Sequence, residues 1–129
     1  MNKAARRILV VDDMTSIRSV VLALLKSEGF EAMGAGSGQA ALDLLSKKQF
    51  DLVLSDWNMP EMNGSELVQK IRATHKNLPI VMVTAENDPG RVTELRDLGV
   101  NGYLIKPFKP AALLAVLGRL FPPGTKNAA

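Results

Sequence analysis

Apolar residues along this chain follow two alternating patterns. Short continuous runs, Ile8 to Val11, Leu52 to Leu54, Ile80 to Val83 and Tyr103 to Ile105, are bounded by polar residues. Runs rich in Val, Ile and Leu suit strands buried on both faces of a sheet. A weaker run, Glu31-Ala32-Met33-Gly34-Ala35, reads as a strand near a sheet edge. Between the runs the period becomes helical. Ile17, Val20, Val21, Leu24 and Leu25 fall on one helical face, with Thr15 or Ser16 as the expected cap and Gly29 as the stop. Ala41, Leu44 and Leu45 mark a second helix, Leu67, Val68 and Ile71 a third, and Val92, Leu95 and Leu98 a fourth closed by Gly99. A fifth, over roughly Pro110 to Phe121, starts with proline in its first turn and stops at Pro122-Pro123-Gly124. Strict strand–helix alternation predicts an α/β fold, a doubly wound parallel sheet of five strands with five helices on its two faces.

Composition narrows the picture. A length of 129 residues is one ordinary domain, expected over residues 1–122 with a disordered tail over 123–129. Hydrophobic residues make up 47%, enough for a core without staples. The absence of cysteine excludes disulfides and thiol chemistry and fits a cytoplasmic location. No apolar run approaches the ~20 residues that span a bilayer, so no membrane association is expected. The net charge of +3 comes from lysines and arginines spread singly or in pairs with few aromatics among them, which argues against nucleic acid as a partner.

In such sheets ligands bind outside the carboxyl ends of the strands. There the chain places Asp12-Asp13 after the first strand, Asp56 after the third, Thr84 after the fourth and Lys106-Pro107 after the fifth. Close carboxylates repel, and a hard divalent cation such as Mg²⁺ relieves this through oxygen ligation. An aspartate is also a nucleophile towards phosphorus, and the transferred group then needs positive charge and donors around its oxygens. Lys106 and Thr84 are placed to supply them. Each piece has an ordinary explanation as a cap or a turn; their convergence points to phosphoryl transfer onto Asp56.

Four stretches resemble the receiver domains of bacterial response regulators, and the resemblance covers nearly the whole chain. They are Val10-Val11-Asp12-Asp13, Ser55-Asp56-Trp57-Asn58-Met59-Pro60 with Gly64, Met82-Val83-Thr84-Ala85-Glu86, and Gly102-Tyr103-Leu104-Ile105-Lys106-Pro107-Phe108. The second and fourth are similar to the CheY-like, stand-alone chemotaxis type. The resemblance implies a flavodoxin-like strand order of 2-1-3-4-5, and a cis bond between Lys106 and Pro107, although X–Pro bonds are cis only about 5–6% of the time. It implies Asp56 as phosphoacceptor, with Mg²⁺ held by Asp12, Asp13, Asp56 and the backbone carbonyl of Asn58. Lys106 would contact the phosphoryl group, Thr84 would move to bond it, and Tyr103 would be an aromatic switch. Asn58 and Glu86 would flank the water that removes the phosphoryl group. The implied partners are a sensor histidine kinase or phosphotransfer protein upstream, and a downstream protein bound through the fourth helix, fifth strand and fifth helix. The near-continuous apolar sequence from Ala111 to Leu117 adds self-association on activation as an expectation.

Departures from the pattern are Asn63 where an aspartate is common, Met14 in place of an aromatic, and Asn87-Asp88-Pro89-Gly90 opening the fourth helix. Gly34-Ala35-Gly36-Ser37-Gly38 lacks the third glycine of a dinucleotide fingerprint and reads as a strand–helix loop. His75 reads as a surface residue at a helix end, Met59 and Met62 as loop packing over the site, and Trp57 carries no assigned chemistry. Two other readings remain. One is a receiver excised from a larger regulator or hybrid kinase. The other is an enzyme, an aspartyl-phosphate phosphatase, disfavoured because its two aspartates would stand two apart and no segment is long enough for a cap domain. The expectation is a signalling protein rather than an enzyme.

Overall fold

The computed structural model describes residues 6–85 and 89–121, with the side chains of 89–92 left aside. Its elements alternate throughout: β1 (Arg7–Val11), α1 (Thr15–Ser27), β2 (Glu31–Ala35), α2 (Gly38–Lys47), β3 (Leu52–Asp56), α3 (Gly64–Thr74), β4 (Ile80–Thr84), α4 (Pro89–Asp97), β5 (Gly102–Ile105) and α5 (Pro110–Leu120). The strands form one sheet in the order β2-β1-β3-β4-β5, every neighbouring pair parallel. This is the expected doubly wound topology.

Period-two alternation within buried strands sends neighbouring side chains to opposite faces. Leu9, Val11, Val53, Ile80 and Met82 join Ala41 and Leu45 of α2, Leu67, Val68 and Ile71 of α3 and Leu95 of α4. Ile8, Val10, Leu52, Leu54, Val81 and Val83 join Val21 and Leu25 of α1 and Leu113 and Leu117 of α5. All residues of β3 and β4 are buried, which is why their sequences read as unbroken apolar runs. β2 lies at the edge, as its weak pattern implied, and two of its five positions are exposed.

Gly29 and Gly99 close α1 and α4 at φ +96° and +84°, conformations that favour glycine. Gly64, the first residue of α3, donates its amide to the Trp57 carbonyl at 2.8 Å. A Cβ there would lie 2.7 Å from Trp57 Cε3 and 3.0 Å from Trp57 Cα, so only glycine lets α3 start this close to the end of β3. Lys106–Pro107 is cis, as the resemblance implied.

Two expectations change. Neither Thr15 nor Ser16 caps α1: the cap position is Met14, with no side-chain bond. The link from strand to helix is too short for a separate capping residue, and Met14 instead donates its amide to Asp12 Oδ1 at 2.9 Å. Met59 and Met62 are buried core residues against α2 and α3 rather than a cover for the site. Met62 fills the space over Gly38, where a Cβ would lie 2.5 Å from its sulfur. The apolar sequence of α5 is accounted for within the fold. Leu113 and Leu117 are buried, Ala112, Leu114 and Val116 pack beside them, and the exposed positions are Pro110, Ala111, Ala115, Gly118 and Arg119.

Arg72, in the last turn of α3, ties this end of the sheet together. It donates to the carbonyl oxygens of His75, Leu78 and Gly99 and to Asn101 Oδ1, over 2.7–3.2 Å. Asn101 Oδ1 also accepts the Ile80 amide at 2.8 Å. The links before β4 and β5 are thereby fixed to α3, and burial lowers the pKa of Arg72. Nothing in the linear pattern marked it, because most of its partners are backbone carbonyls.

Candidate functional site

Parallel pairing brings the carboxyl ends of β1, β3, β4 and β5 to one rim. Asp56 ends β3 opposite Val83, and Thr84 ends β4 opposite Ile105. Asp12 and Asp13 follow β1 directly, and Lys106 follows β5. The order of the strands, rather than closeness in sequence, assembles the cluster.

One carboxylate oxygen from each of Asp12, Asp13 and Asp56 lies within 4.8 Å of the others. Asp12 and Asp56 are buried, 6% and 7% exposed, while Asp13 is open to solvent. Lys106 reaches between the two buried acids, its Nζ donating to Asp56 Oδ2 at 3.1 Å and standing 3.7 Å from Asp12 Oδ2. Burial pushes the Asp56 carboxyl above the usual range. The hydrogen bond and charge of Lys106 oppose this, the Asp12 carboxylate adds to it, and a backbone bond from Asn58 again lowers it. Desolvation wins. Three carboxylates against one ammonium leave negative charge and oxygen donors at a half-open rim, a set that suits a hard divalent cation with some of its water retained.

The remaining predicted positions divide. Thr84 is buried at 3% exposure, and its carbonyl accepts the Lys106 amide at 2.7 Å. Asn58 is exposed beside Asp56. Tyr103 is not in the acid cluster. It stands on the edge strand β5 at 39% exposure, at a cavity of about 330 Å³ lined also by Leu95, Arg96, Val100, Asn101, Gly102 and Arg119. Glu86 lies outside the described residues.

Two features escaped the linear reading. Arg18 of α1 donates from Nη1 to the main-chain carbonyl of Asp12 at 2.6 Å. Beside Lys106 an apolar groove of about 640 Å³ runs between α1 and the β5–α5 link, walled by Ile17, Val20, Leu24, Pro107 and Phe108. Val20 stands 68% exposed on its wall. Val20 shares its helical stripe with core residues, so periodicity placed it inside.

A five-stranded parallel sheet with an acid trio and a lysine at its carboxyl rim is a receiver architecture. Residues 8–118 match the response regulator receiver domain, and the chain belongs to that family, a signalling component of two-component systems. It is 43% identical over 118 residues to chemotaxis protein CheY-3 of Vibrio cholerae, covering 89% of this chain and 91% of that one. Chemotaxis protein CheY of Pseudomonas aeruginosa is 39% identical over 118 residues, covering 89% and 95%. Among solved structures, Vibrio cholerae CheY4 superposes with a TM-score of 0.86 at 41% identity, over 90% of this chain and 98% of that one. A CheY-like receiver domain protein from Methanospirillum hungatei gives 0.87 at 28% identity, over 96% and 99%.

Proposed function

We propose that this chain is a phosphorylation-driven binding switch. Asp56 takes a phosphoryl group from a phosphohistidine of a sensor kinase or phosphotransfer protein. An Asp56 carboxylate oxygen bonds to phosphorus as the P–N bond breaks and the imidazole keeps the electron pair. The observation that carries this reading is the Lys106 ammonium, 3.1 Å from Asp56, beside a buried carboxylate cluster. Asp12, Asp13, Asp56 and the backbone carbonyl of Asn58 would hold Mg²⁺, which neutralises charge on the phosphoryl oxygens when bound. Lys106 supplies a fixed cation to those oxygens, and the Thr84 hydroxyl supplies a donor from the neighbouring strand end.

Removal of the group is attack by water on phosphorus, which returns the Asp56 carboxylate and releases inorganic phosphate. The resemblance gives Asn58 and Glu86 the control of that step; Asn58 is exposed beside Asp56, where water can reach. The upstream partner rests on the apolar groove between α1 and the β5–α5 link, which opens beside Lys106. Output lies on α4, β5 and α5, where half-exposed Tyr103 reports the position of Thr84. A ligand or modification shifts such an equilibrium only by its differential contacts, and bonds to Thr84 and Lys106 are the difference here. With the exposed positions of α5 being Pro110, Ala111, Ala115, Gly118 and Arg119, and no large apolar side chain among them, the downstream protein is the favoured partner and self-association is secondary.

The chemotaxis names of the relatives favour a chemotaxis or motility output, in a cytoplasmic protein whose receiver unit spans residues 1–122. No described helix is long and apolar enough to cross a membrane. The tail expected over 123–129 lies outside the described residues. Acetyl phosphate added with Mg²⁺ should change the fluorescence of Trp57, the sole tryptophan, and the signal should recover over seconds to minutes once the donor is removed. A signal that persisted for hours would contradict a fast reversible switch. Multiple turnover of phosphate monoesters would favour the phosphatase reading.

A further inference from the structure

The acids at the rim belong to a short link in which the Met14 amide donates to Asp12 Oδ1 at 2.9 Å and the Met14 carbonyl accepts the Arg18 amide at 3.0 Å. Only residues 13 and 14 separate Asp12 from α1, and Asp13 and Met14 are both exposed. The backbone on the strand side is anchored by the Asp12 amide, which donates to the Ala35 carbonyl at 3.1 Å. The carbonyl side is anchored by Arg18, whose guanidinium reaches back from α1 to the Asp12 oxygen at 2.6 Å. A hydrogen bond from a charged donor is about twice as strong as a neutral one, and this one holds the carbonyl of the peptide that joins Asp12 to Asp13.

Arg18 reaches that oxygen by lying across two glycines. A Cβ at Gly34, on the edge strand β2, would stand 3.0 Å from Arg18 Cδ and 3.3 Å from its Cγ. A Cβ at Gly36 would stand 3.4 Å from Nη1. Glycine weakens a strand interior and often marks the close approach of another group. Here the group is the Arg18 side chain, and the trough explains the glycine at position 34 of β2.

We propose that Arg18 is a positioning residue for the divalent cation: seated in the Gly34–Gly36 trough, it fixes the Asp12 carbonyl and so aims the Asp12 and Asp13 carboxylates. This role rests on the reading that Asp12, Asp13 and Asp56 hold Mg²⁺. Its electrostatic signature has an unusual sign. A cation near the site repels a second cation, so a guanidinium that acted only as a charge would weaken Mg²⁺ binding, and its removal would tighten it. A guanidinium that aims the ligands does the opposite, and outer-shell partners of this kind typically contribute ~10–100-fold in metal affinity.

Calorimetric Mg²⁺ titration of the wild type, Arg18→Met, Gly34→Ala and the double variant separates these cases, with amide exchange at Met14 measured in metal-free buffer alongside. Arg18→Met should raise Kd about tenfold despite losing a positive charge. Gly34→Ala should raise Kd in the same direction but less, while keeping the guanidinium, because the new methyl group crowds Arg18 Cδ and Cγ, and Leu22 Cδ1, at 3.0–3.3 Å and shifts the Arg18 side chain. The double variant should be no worse than Arg18→Met alone, and Met14 should exchange faster in all three without metal. Should Arg18→Met fail to fold, Gly34→Ala carries the test alone. Unchanged or tighter Mg²⁺ binding in the variants, with the wild type binding normally, overturns the role of Arg18. A wild type that does not bind Mg²⁺ overturns the metal reading and this role with it.

Discussion

Lys106 Nζ and Asp56 Oδ2 meet at 3.1 Å although 50 residues and the whole of β4 separate them. The pair exists because β3 and β5 flank β4 in parallel, so that the strand ends present their next residues at one height. The same ammonium stands 3.7 Å from Asp12 Oδ2. It therefore occupies the place where a metal and a phosphoryl group would each be felt.

Lys106→Ala should separate those two effects. Loss of the ammonium removes repulsion towards a second cation, so Mg²⁺ should bind more tightly, by roughly tenfold. Phosphoryl uptake from acetyl phosphate should fall, because the cation that meets the developing charge is gone. Stopped-flow fluorescence measures both. A parallel rise or a parallel fall in the two quantities would count against the assigned role.

Asp13→Ala should remove most of the Mg²⁺ response. Asp13 is the exposed member of the trio, so its loss costs little packing and leaves the fold intact. Titration followed through Trp57 fluorescence checks this, and an unchanged curve would take Asp13 out of the site.

Asp56 gives a pH dependence whose sign follows from its raised pKa. The native state binds its proton more tightly than the unfolded state, whose carboxyl titrates at the ordinary value of 3.8. Stability is therefore lost as pH rises from that value through the raised native pKa. The groups facing Asp56 are Asp12, Asp13 and Lys106. Asp56→Asn should raise the Tm in metal-free buffer at pH 7 and should remove most of the stabilisation that Mg²⁺ gives the wild type. A lower Tm for Asp56→Asn would mean that the Lys106 contact outweighs the burial.

Much of this architecture was legible because buried parallel strands leave unbroken apolar runs, as in β3 and β4. The rim followed from the residues after each run. What escaped depended on contacts across the sheet. Arg18 and Arg72 bond to backbone carbonyls, which leave no mark in a linear pattern. Gly34 looked like a weakness of β2 until the side chain lying on it was seen. Met59 and Met62 were misplaced because a loop before a helix gives no periodicity from which to tell core from cover. In α5 residue type alone does not distinguish a buried leucine such as Leu113 from an exposed alanine such as Ala115.

Gly64→Ala should destabilise the chain by about 1–3 kcal/mol, since the added methyl group meets Trp57 and Met82 with little room to retreat. Urea unfolding reads this directly. A neutral result would mean that α3 can move away from the end of β3.

Val20→Glu should leave stability within about 0.5 kcal/mol, because Val20 is exposed. It should slow phosphotransfer from the cognate kinase by about tenfold, the effect of one good interface contact, while labelling by acetyl phosphate stays at the wild-type rate. Equal slowing with both donors would place the effect in the site rather than in the groove.

Whether Asp56 carries the phosphoryl group is decided by locating the label with peptide mass spectrometry. Protein treated with acetyl phosphate and Mg²⁺ is trapped by borohydride, which reduces an acyl phosphate to the corresponding alcohol, and is then digested. One modified residue is expected, Asp56, with no label in Asp56→Asn and none without Mg²⁺. Label on Asp12 or Asp13, or undiminished label in Asp56→Asn, would contradict it.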